Sequence, residues 1–167
     1  MALSQTKLAD QLVHLVPVGS EAEAIAHLAT AWETYFSDAT VALAPTTPGA
    51  LAGAMSAFKG ALVGLNLPNA GATKIQAAIQ AFWSALELSA SAVWIVPGGV
   101  VAPGAPPTTT SQVATRLAAQ FLENVTKASD LPSAAQAVAA VLHGNGGLGG
   151  TVSVAIAPGA PSPVPVL

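Results

Sequence analysis

From Ala81 to Gln112, "AFWSALELSASAVWIVPGGVVAPGAPPTTTSQ", the chain carries one charged side chain, Glu87, and the second half of the stretch is dominated by Val, Pro, Gly and Thr. A segment this apolar can cross a bilayer, pack inside a core or lie against another subunit. Its uninterrupted apolar part runs only from Ala92 to Ala105, whereas a spanning helix needs about 20 residues. Pro97, Gly98, Gly99, Pro103 and Gly104 would leave backbone groups unpaired in hydrocarbon. The stretch therefore divides into a helix end, Ala81 to Ala90, anchored by Phe82 and Trp83, and an apolar loop, Val96 to Thr109. Loops normally carry polar groups into water, so a loop of this kind either folds over the core or is covered by a neighbouring subunit.

The same shortage of charge holds for the whole chain. Charged residues make up 8% of the 167, against about 25% in an ordinary soluble domain. Much of the surface is then expected to face partners rather than water. The apolar excess is mostly Ala, which favours close backbone approach over a greasy exterior. Five Lys and Arg and a net charge of −3 supply no basic patch for phosphates, so direct nucleic-acid binding is not expected. With no cysteine, disulfides, thiolate metal sites and cysteine nucleophiles are excluded. The N-terminus lacks the basic region and apolar block of a secretory signal.

Periodicity predicts a mainly α chain, an Ala-rich bundle of five to six helices. Leu8, Leu12, Leu15 and Val16 give a first helix, ended by Pro17 and Gly19. Ser20 and Glu23 form a capping box for a second, which carries Ile25, Leu28, Trp32 and Phe36. Thr47 and Pro48 open a third, running to about Gly64. The fourth carries Ile75, Ile79, Phe82, Trp83 and Leu86. Thr110 or Ser111 caps a fifth, with Val113, Leu117, Phe121 and Val125. A sixth starts at Pro132 and ends at Gly144. "AMSAFKGAL" (54–62) and "AIQAFWSAL" (78–86) share Ala, Ala, Phe, Ala and Leu at the same places, which suggests a helical hairpin whose two arms use one face. The β-branched alternation from Thr151 to Ala157 reads as a strand or extended arm, followed by a polyproline-like tail. The expected division is a helical domain, 1–145, and an extended C-terminal arm, 146–167.

Nothing along the chain has the spacing of a catalytic or metal-binding constellation. His14, His27 and His143 fall in three elements with no carboxylate or second histidine at ligand spacing. The glycines of "HGNGGLGG" (143–150) do not follow a strand and open a helix, so they fail as a phosphate loop and read as a flexible hinge. No G-x-S-x-G is present. Gly49, Gly53, Ala57 and Ala61 make a small-residue ridge, as do Gly60 and Gly64. Such ridges serve membrane helix pairs or close packing in a soluble bundle, and Lys59 in the middle favours the second. The expectation is a non-enzymatic protein with no cofactor, metal or catalytic residue.

A short N-terminal helix, an Ala-rich helical body, "FW" late in a long helix, an apolar Pro/Gly loop, "LAAQFLENV", and "TVSVAI" before a Pro-rich end together resemble small virion structural proteins of tailed bacteriophages and prophages, phage-tail-like injection systems included. The resemblance implies a neck, tail or capsid component built in many copies and located in the virion after assembly in the host cytoplasm. Its implied partners are copies of itself and neighbouring virion proteins, with no cofactor and no membrane. A charge-free arm cannot by itself offset the ordering of its backbone, and strand addition to a neighbour would supply the missing pairing. The residues expected to meet neighbours are Trp83, Trp94, Val96, Val100, Val101, Val152, Val154 and Ile156. Two other readings compete. A holin-like membrane-active protein is suggested by the small-residue ridges; a secreted helical interaction protein would lack its usual W-x-G turn or Pro-Glu start here.

Overall fold

Ser20 takes an extended conformation and its Oγ accepts the Glu23 N–H at 3.2 Å, which starts helix α2, Glu21–Ser37. The Glu23 carboxylate reaches one residue further back than expected, accepting the Gly19 N–H at 2.7 Å. The computed structural model describes residues 3–13, 19–67, 69–156 and 159–167. Around α2 lie α1 (Gln5–Val13), α3 (Ala52–Ala61), α4 (Gly71–Val93), α5 (Val113–Thr126) and α6 (Leu131–Val141). The chain is mainly α, with six helices among the described residues. His14, Leu15, Val16, Pro17 and Ala157 lie outside the described residues.

Three helix starts differ from expectation. Helix α3 spans Ala52–Ala61 and does not open at Thr47 and Pro48, because Gly49 between them and the helix takes a φ of 76°, outside the right-handed helical range. Thr110 lies in a 3₁₀ turn and its hydroxyl donates to the Pro107 carbonyl at 2.9 Å, so it tightens the approach to α5 instead of capping it. Helix α6 is capped by Asp130, whose carboxylate accepts the Ser133 N–H at 2.8 Å. Hydrogen bonds from Ser133 hold the Asp130 carboxyl below its usual range.

The internal echo is structural. Ala54, Phe58 and Leu62 of α3 and just past its end, and Ala78, Phe82 and Leu86 of α4, are all buried. The matched positions Ala57, Ala61, Ala81 and Ala85 are half-buried beside them. Both segments turn the same face to the core, and no other pair of elements packs more extensively. Between them and α2 sits an aromatic cluster. Trp32 stacks on Phe58 with ring centroids 5.7 Å apart, and Phe36 lies 4.6 Å from Phe82. Of the four glycines of the small-residue ridges, only Gly64 is half-buried, close to Leu67 and to Lys74 of α4. Gly49, Gly53 and Gly60 are exposed, and a Cβ on any of the three would meet nothing within 4 Å.

The expected loop and arm are one sheet. Strand β3, Gly99–Ala105, lies inside the stretch read as a loop, and it pairs antiparallel with β4, Thr151–Ile156. The proline tail forms β5, Ser162–Pro165, on the other side of β4. Val101, Val152, Val154 and Val166 are buried in the same core as the helices. The boundary expected at 145/146 thus does not separate an arm from a body. The pairing that a neighbour was expected to provide comes from β3 of the same chain. A short hairpin, β1 (Thr40–Val41) and β2 (Ala44–Pro45), closes the far end, and Leu167 exchanges both backbone hydrogen bonds with Thr40, at 2.8 and 3.0 Å.

Three of the five glycines read as a hinge, Gly146, Gly147 and Gly150, are packed, while Gly144 and Gly149 are exposed. Leu142–Gly147 is a π-helical turn extending α6. Trp83 Nε1 donates to the Gly146 carbonyl at 2.7 Å, and Asn145, Gly146 and Gly147 are buried.

Candidate functional site

Six of the eight residues expected at an interface belong to the chain's own core. Trp83, Trp94, Val96, Val101, Val152 and Val154 are all buried against its own helices and sheet. That expectation is corrected: an apolar side chain in a charge-poor stretch was satisfied internally. Val100 and Ile156 remain outside, 67% and 54% exposed. Alternation explains Val100, since Val101 pairs with Val154 on the core face while Val100 pairs with Ala155 on the outer face; Ile156 has the core-side parity of Val154 and is exposed as the last residue of β4, opposite Gly99.

The outer face is unusual for an antiparallel sheet, which ordinarily presents polar side chains to water. Val100, Ala102, Ser153, Ala155, Pro163 and Pro165 share it. No Asp, Glu, Lys or Arg occurs from Leu88 to Thr115 or from Leu131 to Leu167, so all three strands are uncharged. Helix α4, packed against β3, continues the pattern. Its exposed stripe, Ala77, Gln80, Ser84, Leu88, Ser91 and Ala92, leads to Ile95 just past its end. Leu88 is 86% and Ile95 68% exposed. Glu87 borders this stripe; burial holds its carboxyl above the usual range, and Oε1 has no hydrogen-bond partner.

Both edge strands of the sheet carry proline at outward-facing positions. Val166 donates to the Gly150 carbonyl, so the backbone groups of Val164 point at β4 while those of Pro163 and Pro165 point at the open side, where proline has no N–H. On β3, Val100 and Ala102 face β4 and leave Pro103 at the outer edge beside a bulge. Prolines so placed block edge-to-edge growth. The flat face, rather than an edge, is the available surface.

A second exposed feature stands at the hairpin. The two residues between β1 and β2, Ala42 and Leu43, have φ of 48° and 67°, the left-handed pair that a two-residue turn requires and that Asn-Gly supplies without strain. For residues with a Cβ this costs roughly 1–2 kcal/mol each. Replacing Ala42→Asn together with Leu43→Gly is therefore expected to stabilise the fold by about 1–2 kcal/mol, a rise in Tm of about 2–8 °C for a chain of this size, read by thermal unfolding. An unchanged Tm would mean the turn carries no strain. At the other end of α2, an open apolar groove of about 310 Å³ runs between the helices, lined by Leu28, Ile75, Phe121, Leu131 and Val138 among others, with Asn124 the polar member.

One polar pair of the interior joins a helix to the glycine-rich turn. The Tyr35 hydroxyl and His143 Nδ1 are 2.7 Å apart. Burial raises the Tyr35 pKa and lowers that of His143, so both are held neutral. Among the described residues, no three His, Cys, Asp or Glu side chains gather as a metal site, and no helix is long and apolar enough to cross a membrane. No family model matches the chain, and neither a curated protein nor a solved structure matches it.

Proposed function

We propose that the protein is a non-enzymatic structural subunit of a virion, a neck, tail or capsid-associated component of a tailed phage or phage-tail-like particle, present in multiple copies. One observation carries this reading: the sheet's outer face and the exposed stripe of α4 are uncharged, with Leu88, Ile95 and Val100 standing out from them. A free monomer gains nothing from such a face, whereas a face buried against a neighbour has to be free of charge, because an unpaired charge in an apolar contact is strongly unfavourable. The proline-blocked edges fit the same use, since they stop open-ended strand addition while leaving the face available. Copies of the chain and neighbouring virion proteins are the partners implied.

The test is charge placed on both surfaces, the α4 stripe and the outer face of the sheet. Leu88→Glu with Val100→Glu is expected to leave folding nearly unchanged, both sites being exposed. It should weaken self-association at least about tenfold, because two buried unpaired charges exceed about 1.4 kcal/mol. Sedimentation over a concentration series reads both. A wild-type chain that remains monomeric throughout would overturn homotypic assembly by this face. Portal, terminase or tail genes beside the coding sequence check the particle assignment.

A further inference from the structure

The Leu43 hairpin tip and the groove are both apolar and uncharged, and they lie at opposite ends of the molecule. Leu43 is 93% exposed, the most exposed of the large apolar side chains described. It is presented by a turn whose strain serves no contact within the chain, and strain of this kind persists where function holds it. No charged residue lies between Asp38 and Lys59, so the tip and its flanks are uncharged. The groove is equally apolar, with Phe121 and Leu131 exposed at its rim. Its volume is near the lower end of pockets that hold small ligands, about 300–1,000 Å³, enough for a leucine side chain with its neighbouring methyl groups.

Two helices measure the separation. Helix α2 contributes Ala24 and Leu28 to the groove and enters the hairpin just beyond Ser37. Helix α4 contributes Ile75 to the groove, and Trp94 at its far end forms the bridge that holds Thr46. At 1.5 Å per residue, Ile75 and Trp94 are about 28 Å apart. A knob and a hole this far apart cannot meet within one chain. Between chains they make a head-to-tail contact, which closes into a ring or continues as a fibre.

We propose that the Leu43 hairpin tip of one copy inserts into the groove between α2, α5 and α6 of the next copy. The proposal rests on the multi-copy reading above and names one of its contacts, distinct from the uncharged sheet face. The paired change Ala42→Asn/Leu43→Gly removes the knob and relaxes the turn, so the fold stays intact. Ala134→Phe, on a half-buried position lining the groove, fills the hole, and its circular dichroism and melting check its fold. Each is expected to weaken association about 10–100-fold in analytical ultracentrifugation, the range set by burying one leucine. An equimolar mixture of the two, retaining one knob and one hole between them, should form a two-chain complex and nothing larger through this contact.

Knob-less chains that associate as the wild type does would overturn the proposal. So would association lost in Ala134→Phe alone, which gives the groove another occupant. If both variants still associate while Leu88→Glu/Val100→Glu does not, this contact fails and the face reading stands. A wild type that is monomeric throughout sinks both.

Discussion

A chain ended after Gly149 is expected to lose cooperative folding, not merely to shed a tail. The cut removes β4 and β5, and with them Val152, Val154 and Val166, which are 1%, 3% and 0% exposed. Full burial of an aliphatic side chain is worth about 1.5–3 kcal/mol, so three amount to about 4.5–9 kcal/mol. A domain has only about 5–15 kcal/mol of net stability. The cut also leaves β3 without its partner and takes away the two hydrogen bonds between Leu167 and Thr40. Near-UV circular dichroism of the shortened chain should lack the tryptophan signal of a fixed core, and its melt should be broad. A sharp transition within a few degrees of the full chain would mean that the strands are accessory. An arm meant for a neighbour would be dispensable in this way.

That contrast shows where sequence reasoning stopped. The helices were legible because their cause is local: Ser20 caps through its own side chain, and Ile75, Ile79, Phe82 and Leu86 repeat at the period of the helix. Thr151 to Ile156 was legible as a strand for the same reason, since alternation marks one buried face. Its partners were not. Strand β3 contains Gly99, Pro103 and Gly104, and β5 contains Pro163 and Pro165, residues that ordinarily argue against a strand. They are tolerated because β3 and β5 are both edges and the prolines face away from β4, a property of register that no window of sequence displays. Without the partner, the valines of both strands look like an uncovered apolar arm.

The interface residues failed for a related reason. Trp83, Trp94 and Val101 carry the same signature whether a neighbour or the chain itself covers them, and only long-range pairing decides. Val100 and Ile156 are where the expectation and the surface coincide. Leu43 gave no signal, because Ala-Leu is not the pair expected in a two-residue turn; the groove is assembled from several helices distant in sequence. What composition did convey was the scarcity of charge, and the structure sharpens this into a position: the uncharged stretches contain all three strands of the sheet and the last turns of α4.

The glycines of "HGNGGLGG" decide between a hinge and a wedge, and single methyl groups separate the two. A Cβ on Gly147 would lie 2.1 Å from the Tyr35 hydroxyl oxygen, and one on Gly150 would lie 2.1 Å from the Trp83 ring. Neither aromatic can shift without cost: each is 1% exposed, Tyr35 is tied to His143, and Trp83 to the Gly146 carbonyl. Gly147→Ala and Gly150→Ala are each expected to destabilise the fold by about 3 kcal/mol, the upper part of the range for overpacking, lowering Tm by about 6–12 °C. Gly60→Ala, in open space on a helix, should instead raise stability by about 0.5–1 kcal/mol. A second readout follows from His143, whose pKa burial holds below its ordinary 6.5. As pH falls below that value the unfolded chain takes up the proton first, so this part of the stability is complete above 6.5 and declines beneath it. Gly147→Ala, by displacing Tyr35 and opening the site, should bring the His143 titration back toward 6.5 and flatten that decline. Alanine variants that melt with the wild type and leave His143 unmoved would mean the turn gives way freely, as a hinge does. If the variants melt early, the turn is part of the core, and its glycines are required because two aromatic rings leave no room for a side chain.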